Sequence, residues 1–269
     1  MKEASKIKFF KGLSRVLLKP IFGPPWPFPV QRSWFKLMAS ATILPKNILI
    51  DPIQMGAIKA ELIQHKNAED IIKGKEKVVL YLHGGAYCIC APKTHRSLTC
   101  NLAKKTQAKV FVPDYRLAPE HPFPAGHVDS LDALRYIVNN PDSFNIDPGK
   151  IAIGGDSAGG NLAAYLAICA REESIPLVLQ ILLYPVTDAR SYLDDVDTFL
   201  YPSINENIDS PLLTLETMRF FARETLSGLD HEKTVSDWRL SPILAEDLSN
   251  LAPAYIAVCE YDPLRDEGI

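Results

Sequence analysis

No window of this 269-residue sequence approaches the ~18 consecutive apolar residues of a membrane-spanning helix. Lys11, Arg15 and Lys19 interrupt the N-terminal apolar residues, so the uninterrupted core of a secretory leader is missing too. Cysteine is scarce: Cys88, Cys90, Cys100, Cys169 and Cys259 are odd in number and form no CxxC pair. That argues against a disulfide framework or a zinc site, and for free thiols in a reducing, cytoplasmic compartment. A net charge of only −3 speaks against the strongly basic face of a general nucleic-acid binder. No internal repeat or low-complexity tract is present, which leaves one large α/β domain or two small ones.

The charge is uneven. Residues 1–46 hold nine Lys/Arg against the single acid Glu3, leaving 20 Lys/Arg against 31 Asp/Glu, a net −11, on the remainder. In "ASKIKFFKGLSRVLLK" (4–19) Phe10, Leu13 and Leu17 share one helical face, with basic residues largely elsewhere. "GPPWPFP" (23–29) breaks this helix and a second is expected over 31–44. Two readings fit the pair: packing over the main domain, or a basic helix resting on anionic lipid.

From residue 77 apolar strands and helices alternate. Strands are expected at 77–83, 108–115, 150–154, 177–185 and 253–261, and helices at 92–106, about 126–140 and 158–172. Continuous apolar strands separated by helices imply a mostly parallel sheet covered on both faces. Residues 57–66 are expected to add an antiparallel edge strand. The polar, acidic stretch 187–240, with a helix near 214–226, interrupts the alternation as a lid would.

Three motifs carry chemistry. In "GDSAG" (155–159) a strand turns abruptly into a helix at Ser157, and close chain approach demands glycine on either side. The turn exposes the hydroxyl and aims helix N-terminal amides, including that of Ala158, at the same spot. "LHGGAY" (82–87) follows a strand, and its glycines let backbone N–H groups face a developing oxyanion. His83 precedes that loop and is read as ordering it by hydrogen bonding, not as a base. "EYDPLRDEG" (260–268) puts Asp262 just past a strand end, where an acid that orients a histidine would sit.

With "DYRLAPEHPFPA" (114–125), these motifs in this order resemble the hormone-sensitive-lipase family of α/β-hydrolases, bacterial esterase branch, from about residue 45 onward. The resemblance implies that Ser157 is the nucleophile and Asp262 the triad acid, that Gly85, Ala86 and Ala158 supply the oxyanion-hole amides, and that no metal or cofactor takes part. It also implies an N-terminal helical cap over 1–45, a core over 46–186 and 241–269, and a cap insertion over 187–240. His121, inside the loop 114–125, is then structural. Two departures stand out: Ala86 occupies a position where many members carry a third glycine, and the catalytic histidine expected some 30 residues beyond the acid is absent.

The other histidines do not fill that role by position: His65 lies in an early strand, His95 and His127 in helices, and His231 in the insertion. The expectation is a C-terminally truncated ester hydrolase, inactive as given, with a helix, a short strand and a histidine turn following in the complete gene. Trp26, Phe28, Trp34, Phe199 and Phe220 are expected to roof a small apolar pocket for short acyl esters. An open sheet edge can support a homodimer. The alternative is a disabled hydrolase acting as a small-molecule receptor, similar to the plant gibberellin receptors. A prolyl-oligopeptidase-type peptidase fits the early "HGGA" less well.

Overall fold

The computed structural model describes residues 12–66, 76–193 and 200–269. Seven strands, β1 (Ile48–Met55), β2 (Ile58–His65), β3 (Glu76–Leu82), β4 (Lys109–Pro113), β5 (Ile146–Asp156), β6 (Leu179–Leu183) and β7 (Ala254–Ala257), form one sheet in the order β1-β2-β4-β3-β5-β6-β7. β1, β2 and β4 pair antiparallel, whereas β4, β3, β5, β6 and β7 run parallel.

β3 explains the two-sided core. Its side chains alternate, so Val78, Leu80 and Leu82 enter one apolar cluster while Val79 and Tyr81 enter another. The first cluster includes Leu131, Leu134 and Ile137 of the helix Ala125–Asn139 and Leu162 and Leu166 of the helix Ala158–Glu172. The second takes Cys100 and Ala103 from the helix Pro92–Thr106. Fully burying a Leu- or Val-sized side chain is worth about 1.5–3 kcal/mol, so these clusters hold the sheet between its helices.

Two expectations need correction. The strand at 57–66 is antiparallel but interior, lying between β1 and β4. The edge belongs to β1, whose Pro52 lacks an N–H and is tolerated there because one side of an edge strand needs no donor. The last strand is also shorter than expected, Ala254–Ala257, and its Tyr255 and Ile256 are exposed.

At the N-terminus, residues 12–17 are helical and a second helix spans Phe28–Ser40. The expected helix at 4–19 lies partly outside the described residues. Phe28 is buried with Phe221 and Ile89, while the Arg32 side chain reaches the Cys88 and Ala118 carbonyls and pairs with Glu120. The inner face of this segment therefore packs on the domain. Within the insertion, helices form at Pro202–Glu206, Leu215–Thr225 and His231–Val235. Phe199 lies outside the described residues. No helix among the described residues is long and apolar enough to cross a membrane.

The chain leaves β3 to β4 on one side and returns to β5 on the other. The carboxyl ends of β3 and β5 thus meet at a topological switch point, where open α/β sheets place their ligand crevices.

Candidate active site

Ser157 sits at that crevice with φ 53° and ψ −121°, an unfavourable backbone for a side chain other than glycine. Its surroundings enforce the turn: Ser157 N–H donates to the Leu183 carbonyl at 2.9 Å, and its own carbonyl accepts from Asn161 at 3.1 Å and Val186 at 3.2 Å. The flanking glycines are required by contact. A Cβ at Gly159 would overlap the Leu82 carbonyl oxygen, and one at Gly155 would overlap the Gly159 backbone. The helix Ala158–Glu172 can therefore start directly against β3.

The loop after β3 faces the same spot. Gly85 has φ 116° and Ala86 φ 51°, and the Gly85 carbonyl is tied back by the amides of Cys88 at 3.0 Å and Ile89 at 2.9 Å. Among the described residues, the N–H groups of Gly85, Ala86 and Ala158 have no acceptor within the protein. His83 lies below the loop, fully buried and stacked on Tyr115 at 4.3 Å, and its Nδ1 donates to the Gly84 carbonyl at 2.8 Å. Burial drives its pKa down to about 3, so it stays neutral and is a weak base.

One carboxylate joins the two loops. Asp156, next to Ser157, accepts from Tyr81 Oη at 2.8 Å, the Gly84 amide at 3.1 Å and His95 Nε2 at 3.2 Å. Burial opposes its charge, yet His95 and these donors hold its pKa below the usual carboxylate range.

Asp262 lines the same cavity as Ser157. Its Oδ1 accepts the Leu264 amide at 3.0 Å, a local turn of the kind Asp favours. Burial raises its pKa. The segment behind it is anchored on the insertion: Ser203 donates to the Pro263 carbonyl at 2.7 Å, Tyr192 Oη to Glu267 at 2.6 Å and the Thr187 amide to Glu267 at 2.9 Å. Glu267 is buried, and burial pushes its pKa up to about 8.

Ser157 opens into two cavities. One, of about 240 Å³, runs between Phe22, Phe35, His95, Tyr184, Leu213 and Asp262. The other, of about 50 Å³, is closed by Tyr87, Tyr192, Met218, Phe221 and Thr225. Two larger surface grooves, about 770 and 470 Å³, hold neither Ser157 nor Asp262, so size does not locate the chemistry. The expected aromatic roof is corrected: Phe22 and Phe35 face the larger cavity, whereas Trp26 is exposed and Trp34 Nε1 donates to the Leu17 carbonyl at 3.1 Å.

His95 is the neighbour of Ser157 in the cavity that sequence reasoning did not single out. Among the described residues it is the one histidine lining either cavity, yet both ring nitrogens are engaged, by Asp156 and by Thr94 Oγ1 at 2.9 Å. His127 is buried, with Nε2 donating to Asn161 Oδ1 at 3.1 Å, and burial lowers its pKa to about 4. His65 ends β2 and His231 opens the helix His231–Val235. His121 is exposed at a bend. Among the described residues, no group of three or more His, Cys, Asp or Glu converges as a metal site.

A family model described as alpha/beta hydrolase fold matches residues 79–269. The chain is 42% identical over 200 residues to carboxylesterase NlhH of Mycobacterium tuberculosis, covering 74% of this chain and 60% of that protein. It is 36% identical over 193 residues to ethyl acetate hydrolase of Pseudomonas putida, covering 71% of this chain and 57% of that one. The chain thus spans about 60% of the length of the curated relatives it matches. Among solved structures it resembles a hyperthermophilic esterase from the archaeon Pyrobaculum calidifontis, with a TM-score of 0.81 and 32% identity over 97% of this chain and 80% of that one. A similar match, with a TM-score of 0.81, 27% identity and coverage of 98% and 81%, is an esterase from the bacterial hormone-sensitive lipase family.

Proposed function

Since the chain belongs to the hormone-sensitive-lipase-like family of α/β hydrolases, we propose that it carries the nucleophile half of a carboxylic-ester hydrolase. The observation that carries this reading is the convergence of a strained Ser157 with Gly85 and Ala86, whose amides are unpaired among the described residues, on one cavity, with Ala158 opening the helix directly after Ser157. Ser157 Oγ attacks the ester carbonyl, and the oxyanion accepts hydrogen bonds from Gly85, Ala86 and Ala158. Collapse expels the alcohol, leaving an acyl-enzyme that water then cleaves. Asp262 is placed to orient a neutral imidazole, which would take the serine proton, become imidazolium and return the proton to the departing alcohol, as in a triad. The 50 Å³ cavity takes a short acyl group and the 240 Å³ cavity the alcohol. Residues 1–45 and 187–240 act as the cap over a core of 46–186 and 241–269.

None of the six histidines is assigned as the base. His83 and His127 are buried, with lowered pKa values. His95 is hydrogen-bonded at both nitrogens. His65, His121 and His231 line neither cavity. Residues 1–269 by themselves therefore bind esters but turn them over feebly. The same observation favours a second reading, a small-molecule receptor built on the hydrolase frame.

The test combines a fluorophosphonate probe, which reports an activated Ser157, with turnover of p-nitrophenyl butyrate. Ser157-dependent labelling and turnover support the hydrolase. Ligand binding in the cavity without either supports the receptor.

A further inference from the structure

The inner face of the N-terminal segment is buried, but its outer face is not. On the helical residues 12–17, Leu13, Val16 and Leu17 fall at i, i+3 and i+4, one side of a helix, and Val16 is 71% exposed. On the helix Phe28–Ser40, Val30 and Leu37 recur seven residues apart on the side away from Phe28, and Leu37 is 59% exposed. Trp26 and Ile43 of the same segment are exposed too, Ile43 at 93%. The bond from Trp34 Nε1 to the Leu17 carbonyl holds the two helical pieces together. Exposed apolar side chains gathered on one short segment mark an interaction surface more than scattered ones do.

The charge identifies the partner. Arg15, Lys36 and Lys46 are exposed on this segment, and residues 1–46 carry nine Lys/Arg against one acid while the remainder is net −11. An acidic protein surface meets the same complement on the rest of this chain, yet it offers no apolar phase for Val16, Leu37 and Ile43. A bilayer with anionic headgroups offers both.

We propose that the outer face of residues 13–43 docks this protein on anionic lipid bilayers as a peripheral contact. Leu13, Val16, Leu17, Trp26, Leu37 and Ile43 enter the interface, and Arg15, Lys36 and Lys46 meet the headgroups. Phe22 and Phe35 of the same segment line the cavity at Ser157. Docking thus turns the wall of the larger cavity toward the membrane, and apolar esters dissolved in lipid reach Ser157 through it; this consequence rests on the ester-hydrolase reading, whereas the docking surface does not.

The experiment is flotation of the whole chain with two vesicle types, pure dioleoylphosphatidylcholine and the same lipid with about 30% dioleoylphosphatidylglycerol, since only the second carries the surface potential that attracts cations. Binding to the anionic vesicles is expected to exceed binding to neutral ones at least tenfold, and to fall at high salt because exposed charges are screened. Val16→Asp and Arg15→Glu alter exposed positions; each is expected to cut binding about tenfold with an unchanged Tm. Ser157→Ala is expected to float like the parent, which separates failure of docking from failure of the hydrolase reading. Equal binding to both vesicle types, or Val16→Asp binding like the parent, overturns the proposal. So does a dimer in sedimentation equilibrium that Val16→Asp dissolves while neither form floats, since a second copy then covers this face.

Discussion

Asp156 Oδ1 accepts the amide hydrogen of Gly84 at 3.1 Å, across 72 residues of sequence. A single buried carboxylate thereby holds the turn that bears Ser157 against the loop that bears Gly85 and Ala86. Tyr81 and His95 donate to the same group, so its removal strands several donors at once.

Asp156→Ala is therefore expected to destabilise the fold by roughly 3 kcal/mol, since buried donors lose their partner. The pH dependence has a definite sign. A carboxylate whose folded pKa is depressed stabilises the fold above the unfolded value of about 3.9. That contribution is lost as pH falls through the lower folded value. The gap in urea midpoint between parent and Asp156→Asn should be full at pH 7 and close below pH 4. A constant gap down to pH 2 would show that charge is not what matters.

Ala86 has φ 51° and holds an amide free at the cavity. Ala86→Gly relieves that backbone strain while loosening the unfolded chain, effects of about 1 kcal/mol each and opposite in sign. Stability and kcat/KM should barely change. Ala86→Pro locks φ near −65° and deletes the N–H, and losing one oxyanion donor typically costs about 3 kcal/mol of transition-state stabilisation. Labelling of Ser157 by fluorophosphonate should slow at least a hundredfold. Parent-like labelling of the proline variant would remove Ala86 from the oxyanion hole.

Glu267, with its pKa raised to about 8 by burial, predicts the opposite pH slope to Asp156. The folded state holds a proton that the unfolded chain releases above about 4.3, so stability falls as pH rises from there to about 8. Among the described residues, Asp188, Tyr87, Tyr192 and Tyr201 are the ionisable groups that interact with it, and none supplies a positive charge. Glu267→Gln should gain on the parent steadily between pH 5 and pH 8 in urea denaturation. Parallel curves for the two proteins would contradict a buried neutral acid.

Much of this was legible in the sequence wherever the cause is local. Ser157, Gly155 and Gly159 follow from one strand–helix turn, and the alternating clusters of β3 from its unbroken apolar run. Contacts made only by folding were not legible. His95 sits in the first turn of its helix, and only the packing of that helix across β2 and β4 brings it to Asp156, 61 residues later. Pro52 disguised an edge strand, and Trp26 and Trp34 drew attention from the smaller Phe22 and Phe35 that line the cavity. Glu267 reads as a surface acid, because its burial depends on Tyr192 and Thr187 of the insertion.

Met218 helps close the 50 Å³ cavity. Met218→Ala should extend it and move acyl preference from acetyl and butyryl toward octanoyl, with a relative gain of roughly tenfold for the longer chain, as a few methylenes of apolar pocket allow. The comparison is kcat/KM for p-nitrophenyl acetate, butyrate and octanoate, or labelling rates for fluorophosphonates of matching length. An unaltered chain-length profile would move the acyl group to the other cavity.

The last expectation concerns the proton. If no histidine of residues 1–269 serves Ser157, the chain lacks a function whose removal costs on the order of 10⁶ in kcat, about 8 kcal/mol of transition-state stabilisation. Turnover of p-nitrophenyl acetate by these residues should then lie close to that of Ser157→Ala. His65→Ala, His121→Ala and His231→Ala should change it less than about twofold, because these side chains stand outside both cavities. His95→Ala disturbs Asp156 and should lower Tm together with any residual rate. A fast, Ser157-dependent rate that His231→Ala abolishes without lowering Tm would mean that the insertion swings its histidine to the nucleophile. The same pattern for His95→Ala would make the His95–Asp156 pair an alternative base and its acid.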